Sequence, residues 1–264
     1  MPQILVGCDP EVFVKKNNKF MSAFGLIQGD KKHPQPVDNG AVQVDGMALE
    51  FNITPARNEE QFVHSVQSVF DQLCKMVPDY EVVAVPVAHF DEAYMKQQPK
   101  EALELGCDPD FNSWNGFANP RPDGDRPMRT ASGHVHIGWT RGVNIQEDTH
   151  RNRCHLAGQQ MDFFLGLPSI FYDEDRERRE MYGKGGCIRY KPYGVEYRTL
   201  SNAWLRSEQR MRWVYRNVIK GMTELMSGNF LSRKYGDIQE IINTSNQKEA
   251  MKIIKDANLE MCNG

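Results

Sequence analysis

The amino-acid sequence predicts an α+β fold: an antiparallel sheet backed by long helices. Three observations carry the prediction. Short alternating segments follow one another across polar turns, as hairpin-joined strands do. Long segments with apolar residues at helical spacing interrupt them. Several strand segments also carry one apolar face and one face of carboxylate, imidazole or guanidinium groups, so each suits helix packing on one side only.

Residues 3–14, "QILVGCDPEVFV", read as a strand, and 19–27 pair with it across "KKNNK". Residues 30–40 form a polar loop, and 42–53, "VQVDGMALEFNI", a further strand. Phe62, Val66, Val69, Phe70, Leu73 and Val77 recur at helical spacing, which predicts an amphipathic helix over 58–77. "YEVVAVPVAHF" alternates as a strand. Residues 106–130 are dense in Pro, Gly, Asn and Asp; a loop of that length points to function or disorder. A strand at 132–139, helices at 147–165 and 169–181, strands at 187–191 and 194–200, and a long helix at 203–227 follow. Two small helices are expected in 236–262, the first opening on Asp237 as N-cap.

A chain of 264 residues with 40% hydrophobic and 25% charged residues can bury a sizeable core as an ordinary globular protein. A formal net charge of -3 argues against a nonspecific nucleic-acid binder. The N-terminal apolar run is short and interrupted by Asp9 and Glu11, unlike a signal peptide, and no stretch approaches a membrane span. A cytoplasmic location without membrane partners is therefore expected. The six cysteines, at 8, 74, 107, 154, 187 and 262, include no CxxC pair and read as free thiols. Any metal must then rely on carboxylates and histidine.

Strand parity groups such residues. Asp9 and Glu11 share one face; Glu50 lies with Ala48 and Asn52, opposite Leu49, Phe51 and Ile53. His134 and His136 oppose Val135, Ile137 and Trp139, and Glu196 and Arg198 oppose Val195 and Tyr197. Singly, each has an ordinary explanation: Asp-Pro-Glu as a solvated edge strand, Glu-x-Arg as a cross-strand ion pair. If the strands share a sheet, the carboxylates converge, and their desolvation and repulsion call for cations. Hard oxygen ligands with imidazole suit Mg²⁺ or Mn²⁺ better than zinc.

Positive charge comes from "DEDRERREMYGKGGCIRYKPYGVEYR". Arg178, Arg179, Lys184, Arg189, Lys191 and Arg198 surround the turn Gly183-Lys184-Gly185-Gly186, whose amides and cations suit phosphate. The spacing is not that of a Walker A loop. "DRERRE" also reads as a solvated helix face at Arg176 and Arg178, whereas Arg189 and Arg198 lie within strands.

In this order "GCDPEVFV", "VDGMALEFNITP", "LGCDPDFN", "NPRPD", "SGHVHIGW" and "RREMYGKGGCIRYKPYGVEYRTLSNAW" resemble the phage-encoded COOH·NH2 ligases. These are amidoligases of the glutamine synthetase/glutamate–cysteine ligase-like superfamily of carboxylate–amine ligases. The resemblance spans roughly residues 4–230 and implies a sheet curved around ATP and two or three divalent metals, Mg²⁺ or Mn²⁺. It implies Asp9, Glu11, Glu50, His134 and Glu196 as metal ligands. His136 would stand nearer the transferred phosphate, with Arg189 and Arg198 acting on the phosphoryl group. Arg179, Gly183, Lys184 and Gly185 join those two arginines as candidate nucleotide-binding residues.

Position 9 departs from the G-x-E-x-E pattern of the glutamine synthetase members, which shortens one ligand by a methylene. Asp45 is a candidate second carboxylate on the Glu50 strand, its direction left open by Gly46. The first pentapeptide, Gly7-Cys8-Asp9-Pro10-Glu11, recurs almost unchanged at Gly106 to Asp110, where the relatives have no metal strand. That copy reads as a turn shaping the substrate-side loop, Asp108 and Asp110 capping backbone amides.

The implied organisation is a catalytic domain over 1–230 and a small helical appendage over 231–264. The implied chemistry is ATP-dependent activation of a small-molecule or peptide carboxylate as an acyl phosphate, then displacement of phosphate by an amine. A phage-encoded ligase would work in the host bacterial cytoplasm, and a homo-oligomer is compatible with the resemblance. Two rivals use the same residues: a metal-dependent phosphoesterase or nuclease, and a catalytically silent nucleotide-binding protein.

Overall fold

The computed structural model describes residues 3–104, 109–120, 126–173 and 175–262. It is an α+β fold, and the strand pairings among the described residues are antiparallel. One sheet runs in the order Leu5–Cys8, Val135–Gly138, Gly194–Tyr197, Cys187–Lys191, Phe111–Asn112. A second runs Lys19–Met21, Glu11–Lys16, Ala48–Ile53, Gly40–Asp45, Gln35–Val37, with Glu81–Val83 also pairing on Glu11–Lys16. Val87–His89 and Met128–Thr130 form a separate pair.

The two larger sheets meet at Pro10. Proline has no amide hydrogen to give to a ladder, so the ladder lapses there, yet backbone bonds continue on both sides. The Asp9 amide donates to the His134 carbonyl (3.3 Å), Glu11 to Ser132 (2.8 Å), and Phe51 to the Pro10 carbonyl (3.2 Å). The single strand expected over 3–14 is therefore two, one in each sheet, and the single shared sheet expected for the four polar strands is a pair joined at this bend.

Two further strands divide. The segment 42–53 is a hairpin: Asp45 opposes Ala48 across Gly46 and Met47, and Gly46 has φ +57°. Glycine at the first position of a two-residue turn suits a hairpin, because it reaches positive φ without steric cost. The segment 80–90 splits before Pro86, its halves pairing with Glu11–Lys16 and Met128–Thr130. The return strand of the first hairpin covers only Lys19–Met21 rather than 19–27.

The helix Glu59–Met76, capped by the Asn58 side chain on the Gln61 amide, packs Phe62, Val66, Val69 and Leu73 on the second sheet. Asp148–Met161 backs the first sheet, where Cys154, Ala157 and Met161 join Val135, Ile137, Ile188 and Val195 in one core. Glu208–Met226 packs against both helices and ties the two halves together. Each fully buried large apolar side chain in this core contributes roughly 1.5–3 kcal/mol.

The helix expected over 147–165 runs on as a wider π turn, Asp162–Gly166, and ends at Ser169. The one expected over 169–181 shortens to Arg176–Met181, with Asp175 capping the Glu177 and Arg178 amides. The 203–227 helix breaks at Ser207, whose hydroxyl caps the Arg210 amide of Glu208–Met226 after a 3-10 turn at Asn202–Arg206. The two small helices expected in 236–262 are present as Gln239–Asn243 and Gln247–Asp256, the first entered through the Gln239 amide donating to Asp237 Oδ1 with Ile238 at the cap position, and a third, Leu231–Tyr235, precedes them. Their Leu231, Ile242, Ala250 and Ile254 pack on Phe163, Phe164, Leu167 and Ile170. No described helix is long and apolar enough to cross a membrane, and Cys8, Cys74, Cys154, Cys187 and Cys262 are free thiols.

Candidate functional site

The face of the first sheet turned away from the helices carries two rows of side chains. Register aligns Gly7, His136, Glu196 and Arg189. One step along, backbone bonds from Asp9 to His134 and from Arg198 to Cys187 bring those four residues abreast. In the second sheet Glu11, Glu50 and Gln43 form a third row. A cavity of about 760 Å³ lies over both sheets, and Asp9, Glu11, Asp45, Glu50, His134, Arg189, Lys191 and Arg198 line it.

The first-sheet end is rich in cations. Glu196 is fully buried and pairs with Arg198, with Lys191 Nζ at 2.8 Å and with Arg189 Nη1 at 3.3 Å. Burial alone would raise its carboxyl, but Arg198, both histidines and Arg189 outweigh burial and hold it well below the ordinary range. Asp9 Oδ1 lies 2.9 Å from His136 Nε2 and 3.5 Å from His134 Nδ1. Its carboxyl is likewise lowered, the opposing push of burial overcome chiefly by His136.

The two histidines behave differently. Burial would lower His136, but attraction to Asp9 raises it, and its Nδ1 meets the Tyr193 hydroxyl. Burial and Arg198 together push His134 down to about 4, so a neutral ring faces Arg198 Nη1 at 3.3 Å. Ligand atoms of Asp9, His136 and Glu196 lie within 4.8 Å of one another, a grouping that could hold a metal ion.

The second-sheet end is rich in carboxylates. Glu11 Oε2 accepts the Ser132 amide at 2.8 Å, and Glu50 Oε2 accepts Gln43 Nε2 at 2.7 Å. Asp45 points into the same cavity and pairs with Lys31 at 2.8 Å. Burial and then Asp45 raise Glu11 to about 7, while burial, Asp9, Asp45 and Glu11 raise Glu50 well above its ordinary value. A divalent cation would relieve this crowding, and the all-oxygen donor set fits a hard one.

The remaining sequence candidates lie apart from these clusters. Arg179 is buried between Ser245 Oγ (2.8 Å) and Asp173 (3.6 Å). The Gly185 amide donates to Asn243 Oδ1 at 2.8 Å, and its carbonyl accepts Gln239 Nε2. Lys184 is exposed, and its carbonyl accepts from Thr199 Oγ1 at 3.0 Å. Gly183, at φ +75°, lies against Arg178. Arg178 itself corrects the solvated-face expectation: it is 1% exposed and donates to the carbonyls of Thr199, Leu200 and Arg198. The arginine braces the chain just beyond the Glu196–Arg198 pair.

Sequence reasoning passed over Tyr193, which sits in the turn between two strands, and Gln43, whose row with Glu50 exists only once the Asp45–Gly46 hairpin is recognised. In the second pentapeptide Asp110 reaches Arg198 Nε at 3.4 Å, while Asp108 lies outside the described residues.

Residues 128–260 match the family model described as phage phiEco32-like COOH.NH2 ligase-type 2. The matched span contains His134, His136, Arg189, Glu196 and Arg198 together with the C-terminal helices. Asp9, Glu11, Glu50 and Asp110 precede it. No curated protein matches the chain.

Proposed function

The chain belongs to the phage phiEco32-like COOH·NH2 ligase family, and on that premise we propose that it joins a carboxylate to an amine with ATP and Mg²⁺ or Mn²⁺, releasing ADP and phosphate. The observation that carries this reading is one cavity with two ends of opposite charge: Arg189, Lys191 and Arg198 over the first sheet, Glu11, Glu50 and Asp45 over the second. The cationic side chains of the first end suit a nucleotide polyphosphate, and the crowded carboxylates of the second suit a divalent ion that accompanies it.

Asp9, His136 and Glu196 would hold one divalent ion, and Glu11 with Glu50 another. Bound there, such ions would neutralise phosphate charge and polarise the phosphoryl group. Arg189, Lys191 and Arg198 would meet the charge that builds as a substrate carboxylate oxygen attacks the γ-phosphorus and ADP departs. The amine nitrogen then attacks the acyl carbon, phosphate leaves with the bonding electrons, and the nitrogen loses a proton. His134 Nδ1, 3.3 Å from Arg198 Nη1, would orient that arginine. Arg179, Gly183 and Gly185 belong to the support of the site.

Hydroxylamine tests the reading, because it is small, nucleophilic and largely neutral near pH 7. With an acid that triggers ADP release, a hydroxamate is expected in equal amount to ADP, only with ATP and a divalent ion present. Arg189→Ala should lower the rate about a hundredfold or more. Phosphate-ester cleavage without ATP, with neither hydroxamate nor oxygen transfer from carboxylate to phosphate, would replace the ligase reading with the hydrolase one.

A further inference from the structure

Asp110 closes the second acidic pentapeptide, and a short hairpin fixes where it stands. The Asn119 amide donates to the Asp110 carbonyl (2.9 Å), Phe111 bridges Ala118, and the Asn112 amide donates to Phe117 (2.8 Å). Phe111–Asn112 then pairs with Cys187 and Ile188 at the edge of the first sheet. This docking delivers a carboxylate to the cavity from a segment remote in sequence.

The carboxylate is oriented before it meets Arg198. Asn119 Nδ2 donates to Oδ1 at 2.9 Å, and the Cys187 thiol donates to Oδ2 at 3.1 Å. Oδ2 also receives Arg198 Nε at 3.4 Å. Nη1 of the same guanidinium goes to Glu196 and His134, while Nη2 has no hydrogen-bond partner among the described residues. Asp110 and Arg198 both line the cavity.

A guanidinium is planar, so fixing two nitrogens sets the direction of the third. Glu196 cannot fix that plane unaided, because it is shared with Lys191 and Arg189. We propose that Asp110 is a positioning residue that holds Arg198 by Nε, so that Nη2 presents its hydrogens to an anionic oxygen in the cavity. That the oxygen belongs to phosphate rests on the ligase reading; the contact does not.

The test uses Asp110→Asn, which keeps size and can keep the bond to Asn119 but removes the acceptor charge at Nε. In the ligand-free protein, the Arg198 Nε–H resonance, assigned with Arg198→Lys, should exchange with water at least tenfold faster in Asp110→Asn. Calorimetry should find MgATP affinity changed by less than about threefold, while the maximal rate of ADP release from MgATP, with the acid and amine that best drive it, falls about tenfold to a hundredfold. Asn119→Ala, which loosens the carboxylate without altering its charge, should lower the rate less. An unchanged Nε–H signal, or an unchanged rate despite a released Nε–H, overturns the proposal. Absence of ADP release from the wild-type protein would overturn the ligase reading and any catalytic role for the contact, while the exchange measurement still judges the contact itself.

Discussion

Gly183→Ala separates support from ligand binding in the "YGKGG" turn. An added Cβ would stand 2.0 Å from Arg178 Nη1 and 2.8 Å from the Thr199 carbonyl oxygen, on a backbone at φ +75°. Holding alanine in the left-handed region costs roughly 1–2 kcal/mol. The guanidinium must also move, and it donates to Thr199 and Leu200 at 2.8 Å each. Burial lowers Arg178 only to about 10, so it is charged at neutral pH and its bonds are charge-assisted. Losing one of them costs roughly 1.5–3 kcal/mol. The expected destabilisation is about 2.5–5 kcal/mol, which at roughly 2–4 °C per kcal/mol lowers Tm by about 5–20 °C. Thermal denaturation with and without MgATP measures it. In an Arg178→Met background the same substitution should cost less by the guanidinium's share, so the double-mutant cycle isolates the clash with Arg178. A Tm within about 2 °C of wild type, accompanied by lost MgATP affinity, would refute the argument and restore the turn as a phosphate loop.

Glu50→Gln removes one carboxylate from a crowded, half-buried group while leaving an acceptor for Gln43. Without added cation it should raise stability by about 1 kcal/mol, and the joint Mg²⁺ and ATP thermal shift should shrink; an unchanged joint shift would remove Glu50 from the cation site. Asp162, fully buried, accepts Trp114 Nε1 and Tyr197 Oη at 2.7 Å each, yet burial raises it from 3.8 to about 6. The folded state then holds this proton more tightly than the unfolded chain, so its contribution is complete below pH 3.8 and is lost as pH rises through about 6. Urea unfolding should show a decline approaching about 3 kcal/mol from this group across that window, absent in Asp162→Asn; equal slopes in the two proteins would contradict it.

Local pattern exposed much of this site because strand parity is a two-residue property. It put Asp9 with Glu11, His134 with His136 and Glu196 with Arg198; Asp9, Glu11, His134 and Arg198 line one cavity, with His136 and Glu196 paired to Asp9 and Arg198 behind them. Where the pattern ran through a proline or a glycine it merged strands, as at Pro10, Gly46 and Pro86. Long-range relations were not legible. Nothing near Asp110 announces Arg198, 88 residues away. "DRERRE" has the charge pattern of a solvated helix, and only the tertiary fold places Arg178 under three carbonyls. The partners of the buried Asp162 carboxylate, Trp114 and Tyr197, are likewise not local to it.

Asp9 and Glu11 belong to different sheets yet are separated by a single residue, which makes the chain length at Pro10 a structural constant. Alternation allows no compromise there. One residue inserted between them would rotate either the Leu5–Cys8 strand or the Glu11–Lys16 strand by half a turn. Val6 and Cys8, or Val12 and Val14, all buried in the core, would then face the cavity, and the matching carboxylate would enter the apolar layer. Two inserted residues would preserve the facing but push the carboxylates apart by nearly 7 Å, at roughly 3.3 Å per residue. The tripeptide thus acts as a fixed ruler between the two halves of the site: its middle residue is open to exchange in chemistry far more readily than its length is open to change.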